Sequence, residues 1–276
     1  MPIIHAIVLG IAQGLSEFLP ISSSGHLILL PKLFGWTEFA RDPSLEKAFD
    51  VALHMGTLFA AIVVMRSECF QVVRGAWDKV VRRKDTPETR LAGFVLLASI
   101  PAAAVGALFE KSIDEHLGKP IIIGIMFVVF AGVLFWADRA HGTRSMEDLT
   151  WKDALFVGTA QMLALQPGVS RSGITMTAGR MKSLDRTAAA RFSFLLLIPI
   201  TAGAGLVKLT KLMREGGIPP GFGGAFLWGT IASAITGFIA MKFLLRMLVG
   251  TSFRPFVIYR VIAGISVIVI FATGIR

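Results

Sequence analysis

Charge is scarce in this chain. Only 17% of its 276 residues are charged and 54% are apolar, against about 25% charged in ordinary soluble domains. So little charge excludes a typical water-soluble domain, and the mean hydropathy of +0.69 agrees. Cysteine is nearly absent: Cys69 stands alone, which excludes an internal disulfide. Acidic residues are the smaller share, 18 against 28 Lys and Arg, leaving a net charge of +10. That excess does not read as a nucleic-acid surface, because the basic residues sit in short connections rather than on an amphipathic or aromatic-interleaved face. A basic leader is missing too. The first Lys or Arg is Lys32, so no cleavable signal peptide is expected.

What the chain has in plenty is apolar runs, near residues 48–65, 91–109, 120–137, 189–207, 224–245 and 256–275. Each is about 18–22 residues long, enough for a helix to cross a hydrocarbon core of about 30 Å. The expectation is an all-α polytopic membrane protein with six transmembrane helices, because backbone polar groups in lipid must be paired within their own segment. The connection 66–90 holds Arg66, Arg74, Lys79, Arg82, Arg83, Lys84 and Arg90. The positive-inside rule places it in the cytoplasm. The next short connection, 111–119, has only Lys111 and Lys119 and falls on the opposite side.

Two further apolar segments, 3–30 and 154–178, are interrupted by Pro, Ser and Gly. Their centres nearly match. Residues 10–25 read GIAQGLSEFLPISSSG and residues 158–173 read GTAQMLALQPGVSRSG. Without a gap they share Gly10/Gly158, Ala12/Ala160, Gln13/Gln161, Leu15/Leu163, Ser22/Ser170, Ser24/Ser172 and Gly25/Gly173. Chance would supply roughly one such match. Each segment is expected to form two half-helices joined by a polar loop, a re-entrant hairpin buried in protein or lining a watered cavity. Each half of the chain then carries one hairpin and three spans. Three is odd, so the second half enters from the opposite face. The chain reads as a single membrane domain over 1–276 built as an inverted-topology repeat, about 1–138 and about 150–276.

The two loops differ in their chemistry. Gln13 and Glu17, four apart, share a helix face just before the first break, and an intramembrane carboxylate pairs, binds an ion or does chemistry. Ser22, Ser23 and Ser24 offer hydroxyls and backbone N–H groups at a helix N-terminus, a favourable place for an anion, while for any one of the three helix capping is the better fit. His26 lies one turn further on and can be structural or functional. Arg171 stands between two serines in the second loop, and its planar fork suits bidentate phosphate binding. The plainer role for Arg171 is a structural pair with Glu17. Ser170, Ser172 and Thr175 can add hydroxyls to the same anion site. Asp50 and His54, four apart in the first span, can face the same cavity, but read rather as a structural or supporting pair. An anion cradle, an arginine clamp, one carboxylate and candidate nucleophiles form the inventory for phosphoryl transfer to water.

At these residues the chain closely resembles the undecaprenyl-diphosphate phosphatase family, the bacitracin-resistance type of bacterial membrane phosphatase. The resemblance runs essentially end to end. Its (E/Q)xxxE element is Gln13 to Glu17, FLPxSSxGH is Phe18 to His26, and PGxSRSGxT is Pro167 to Thr175. Gln13 stands where many members carry Glu, which removes one metal carboxylate. The resemblance implies hydrolysis of a polyprenyl diphosphate lipid, undecaprenyl diphosphate, to the monophosphate and inorganic phosphate. That reaction recycles the carrier for cell-wall polymers. It also implies dependence on Mg²⁺ or Ca²⁺, contact with membrane lipids, residence in the bacterial plasma (inner) membrane and a site open to the extracytoplasmic side. Carried over by position, Glu17 would hold the metal or act as base, with Gln13 assisting. Ser23 or His26 would be the nucleophile or proton carrier, and Arg171 would clamp the diphosphate. Ser22, Ser24, Ser170, Ser172 and Thr175 would line the pocket. Association into a homodimer stays open. A secondary transporter, or a lipid flippase with the same inverted frame, would bind an anion similarly.

Overall fold

The computed structural model describes residues 1–38, 43–214 and 217–274. Its described residues are helical, the one extended pairing being an isolated bridge between Arg144 and Leu184. In chain order the helices are α1 (Ile3–Phe18), α2 (Ser23–Phe34), α3 (Pro43–Val64), α4 (Arg66–Val80), α5 (Pro87–His116) and α6 (Pro120–Asp138). A second series follows: α7 (Trp151–Gln161), a single 3₁₀ turn (Met162–Leu165), α8 (Arg171–Met181), α9 (Arg186–Arg214), α10 (Gly223–Met247) and α11 (Arg254–Thr273).

Six of these helices are long and apolar enough to span a membrane: α3, α5, α6, α9, α10 and α11. They match the six runs read from hydropathy. The connection 66–90, by contrast, is not all loop, because α4 fills most of it. The remaining helices are short. At 1.5 Å per residue, α1 covers about 24 Å and α2, α7 and α8 less, so none crosses alone.

Both interrupted segments break as their sequences require. Leu19, before Pro20, is extended at ψ 140°, and Gln166, before Pro167, at ψ 117°. Proline disfavours helical geometry in its predecessor. The chain then turns through Ser22 and Ser170, at φ 75° and φ 76°. A non-glycine residue there is strained by about 1–3 kcal/mol and persists only where its surroundings hold it. Each serine hydroxyl caps the helix that follows. Ser22 Oγ accepts from Gly25 N at 3.4 Å, and Ser170 Oγ from Gly173 N at 3.1 Å. The two breaks therefore repeat one backbone conformation as well as one sequence.

The helices also pack in matched pairs. α1 lies against α10 and α7 against α5, while α6 packs on α11 and α3 on α9. Close approach needs the shared first glycine of the repeat. A Cβ on Gly10 would sit 2.3 Å from Gly229 O in α10, and one on Gly158 would sit 2.5 Å from Ala98 O in α5. Small residues at such contacts are the usual device for packing helices in lipid.

A buried arginine joins the breaks. Arg260, in the apolar α11, is 1% exposed. Its Nη1 donates to Pro20 O at 3.2 Å and Val169 O at 3.0 Å, one carbonyl from each break. Nη2 donates to Gly168 O at 2.8 Å and Met126 O at 3.2 Å, and Nε to Phe127 O at 3.2 Å. All five guanidinium donors are used. Arg260→Ala is expected to destabilise the fold by about 3–5 kcal/mol through the carbonyls left buried. Arg260→Lys, with three donors, should recover only part. Thermal unfolding in detergent, followed by size exclusion, checks both.

Candidate active site

The two breaks face one cavity of about 290 Å³. Its polar wall is Glu17, Ser22, Ser23, Ser24, His54, Gln161, Ser170 and Arg171. Val51, Met55, Ala102, Ala164, Leu165, Ile200, Ala204 and Gly205 supply much of the rest, from α3, α5, the 3₁₀ turn and α9. With Thr201, polar and apolar residues line it in nearly equal number, but most of the exposed wall surface is apolar.

Glu17, at the C-terminal end of α1, is 6% exposed and organises that side. Its Oε2 accepts from Ser23 Oγ at 2.5 Å and Gln13 Nε2 at 3.3 Å. Its Oε1 accepts from Arg171 Nη2 at 3.0 Å and Nε at 3.4 Å. Arg171 Nη1 donates to Ser193 O at 2.9 Å in α9, which fixes the fork. Ser23 and Arg171 open α2 and α8 and occupy equivalent positions of the repeat. The duplicated frame brings two unlike side chains to one carboxylate.

The other expected residues fall in layers around this contact. Ser22 Oγ accepts from Gly168 N at 3.2 Å, and Ser172 Oγ donates to Leu19 O at 3.2 Å, so each break bonds to the other. Ser24 and Ser22 hydroxyls are 3.5 Å apart, and those of Ser172 and Ser170 3.2 Å. Thr175 Oγ1 lies 2.7 Å from Ser193 Oγ and 2.7 Å from Arg171 O, buried behind the arginine. Gln13 is fully buried behind Glu17, and its Oε1 has no hydrogen-bond partner among the described residues.

Of the two histidines that could face the cavity, only His54 does. His26 does not line the cavity. Its Nδ1 is 2.7 Å from Ser22 O and its Nε2 2.6 Å from Tyr259 Oη, and its ring stacks on Phe127. A carbonyl only accepts, so Nδ1 carries the proton and Nε2 takes the tyrosine hydroxyl. Both nitrogens are engaged. His54 lines the cavity instead: its Nδ1 donates to Asp50 O at 2.7 Å, and its Nε2 lies 3.7 Å from Glu17 Oε2. Sequence spacing set His54 with Asp50 as a supporting pair. An imidazole within an apolar span was the available signal for more. Arg260 carried the same signal, a charge in the middle of a span. Gln161 was matched to Gln13 in the repeat, yet only the structure places it on the cavity wall.

Known proteins identify the lineage. The profile of the family described as bacitracin resistance protein BacA matches residues 6–266. An undecaprenyl-diphosphatase of Pelotomaculum thermopropionicum is 45% identical over 273 residues, covering 99% of this chain and 98% of its own. One of Pelobacter propionicus is 46% identical over 278 residues, covering 100% and 99%. An "Undecaprenyl-diphosphatase 2" of Stutzerimonas stutzeri is 44% identical, with 99% of each chain aligned. With its motifs, six spans and full-length match together, the chain belongs to the bacitracin resistance protein BacA family.

Proposed function

We infer that this multi-pass membrane protein hydrolyses undecaprenyl diphosphate to undecaprenyl phosphate and inorganic phosphate, as its relatives' names state of them. One observation carries the reading at the level of chemistry. A buried carboxylate holds a serine hydroxyl from one break and a guanidinium from the other, at the wall of a largely apolar cavity. A transporter needs no such contact between carboxylate and hydroxyl, and the named relatives favour the enzyme.

In this reading Glu17 Oε2 accepts the proton of Ser23 Oγ, which attacks the terminal phosphorus. The bond to the bridging oxygen breaks and undecaprenyl phosphate leaves. Water then attacks the phosphoserine, with Glu17 or His54 Nε2 taking its proton, and phosphate is released. Arg171 neutralises charge on the transferring group. Glu17 and Ser193 engage three of its five N–H donors, leaving two for the phosphate oxygens. Ser22, Ser24 and Ser170 border the same space, and Ser172 and Thr175 brace it from behind. All these groups come from one chain, so the site is complete without a second copy.

The residues suit a hard cation shared with substrate. Among the described residues no three His, Cys, Asp or Glu side chains cluster to cage a metal. Mg²⁺, however, is commonly held by one or two carboxylates plus substrate phosphates. Glu17 and the unpartnered Gln13 Oε1 would hold it, and it would offset charge on the diphosphate.

The matched breaks and the exchange of packing partners, α1 on α10 and α7 on α5, support an inverted-topology repeat with the short helix pairs as re-entrant hairpins. The basic residues of 66–90 support a plasma-membrane orientation with that connection inside and the cavity reached from the extracytoplasmic side.

The test is phosphate release from a polyprenyl diphosphate by the detergent-purified protein. Arg171→Ala is expected to lower kcat about 10²–10³-fold, and Arg171→Lys to restore only part because a point charge replaces the fork. Glu17→Gln should abolish release while the thermal unfolding midpoint stays near wild type. Normal release by either Arg171→Ala or Glu17→Gln rejects the assigned roles. EDTA is expected to stop the wild-type reaction, and added Mg²⁺ or Ca²⁺ to restore it.

A further inference from the structure

A second polar region lies where four spans end on one face of the molecule. There α6 ends at Asp138, α9 begins at Arg186, α10 ends at Met247 and α11 begins at Arg254. Two adjoining cavities of about 620 and 520 Å³ open among these ends and share Asp138, Arg139 and Arg186. Neither shares a residue with the Glu17 cavity.

The cleft is net positive: Arg139, Arg180, Arg186 and Arg254 stand against two carboxylates, Asp138 and Asp185, and Asp185 Oδ1 accepts from Ala188 N at 2.8 Å. Asp138 Oδ1 accepts from Arg186 Nε at 2.6 Å and lies 3.7 Å from Arg180 Nε, while Oδ2 accepts from Phe253 N at 3.0 Å. The one carboxylate common to both cavities is thereby used up. Arg139 and Arg254, both exposed, pair with no carboxylate among the described residues. Arg180 is 3% exposed, and its Nε has no hydrogen-bond partner among the described residues. Ser252 borders the cleft just before the 20-residue α11, and its Oγ accepts from Arg254 N at 3.4 Å; Pro255 has no N–H, so the donors the cleft offers are the arginine side chains.

Depth selects the kind of anion. The cleft sits at span ends, and Phe135 and Trp136, 40% and 64% exposed, stand at the close of α6, where aromatic side chains meet the lipid interface. Basic pockets between helix ends at this level suit anionic headgroups. A zwitterionic choline headgroup would bring its own cation against the arginines. We propose that this cleft binds the phosphate of an anionic phospholipid headgroup, held by Arg139 and Arg254 at the α11 N-terminus. Inorganic phosphate offers the same chemistry from another source.

Native mass spectrometry of the detergent-solubilised full chain, titrated with phosphatidylglycerol, phosphatidylcholine or inorganic phosphate, tests this. Phosphatidylglycerol is expected to be retained about tenfold or more over phosphatidylcholine. The double variant Arg139→Ala/Arg254→Ala should lose that preference, whereas Arg66→Ala, exposed elsewhere on the same face, should keep it. Wild-type phosphate release by the double variant shows that it is folded. Phosphate binding lost in the double variant, with no preference between lipids, overturns the lipid and leaves the free anion as occupant. Equal retention of both lipids without phosphate binding, or a preference that the double variant keeps, overturns the site.

Discussion

Everything at the candidate site depends on keeping two broken helices broken. Each interruption frees carbonyls that lipid cannot satisfy, and Arg260 takes one or more from each break while bonding α6 with its other donors. The two strained serines sit beside those carbonyls. Without a donor fork between them, both breaks would relax toward continuous helix or splay apart, and Ser23 and Arg171 would no longer meet at Glu17. A single guanidinium thus sets the distance between the halves of the site.

The frame is duplicated but the chemistry is not. Equivalent positions hold Ser23 and Arg171, a hydroxyl and a cation. The counterpart of Glu17 is Leu165, which lines the apolar side of the same cavity. Duplication supplies two capped helix starts aimed at one another. Divergence places one hydroxyl and one cation around one carboxylate. The pairs Ser22 with Gly168 and Ser172 with Leu19 lace the breaks together, so neither half is complete without the other.

Much of this was legible in the chain itself. Six spans follow from apolar runs and scarce charge, and the two breaks from Pro-Ser-Gly interruptions within such runs. Glu17 and Arg171 stood out because charged groups in lipid need a reason to be there, whereas Ser23 was one of three serines suited to capping and was set apart only by the family resemblance. What was not legible is whatever depends on direction. Which histidine faces the cavity is set by α2 turning His26 toward Tyr259 and by α3 placing His54 one turn past Asp50. Sequence distance from Glu17 pointed the other way. Arg171 shows the same limit. The structural pair with Glu17 and the phosphate clamp looked like alternatives, yet one fork forms the first and keeps donors for the second. The connection 66–90 read as loop because its charges hid α4, whose apolar residues are spaced for an interface rather than a core.

The size of the Glu17 cavity has its own consequence. About 290 Å³ falls at the lower edge of pockets that enclose a drug-sized ligand, about 300–1,000 Å³. A whole polyprenyl diphosphate exceeds a cavity of that size, so a bound substrate would leave much of its tail among acyl chains. Selectivity is thereby divided between two solvents. On this geometry the polar wall meets the head, and the bilayer would carry the tail.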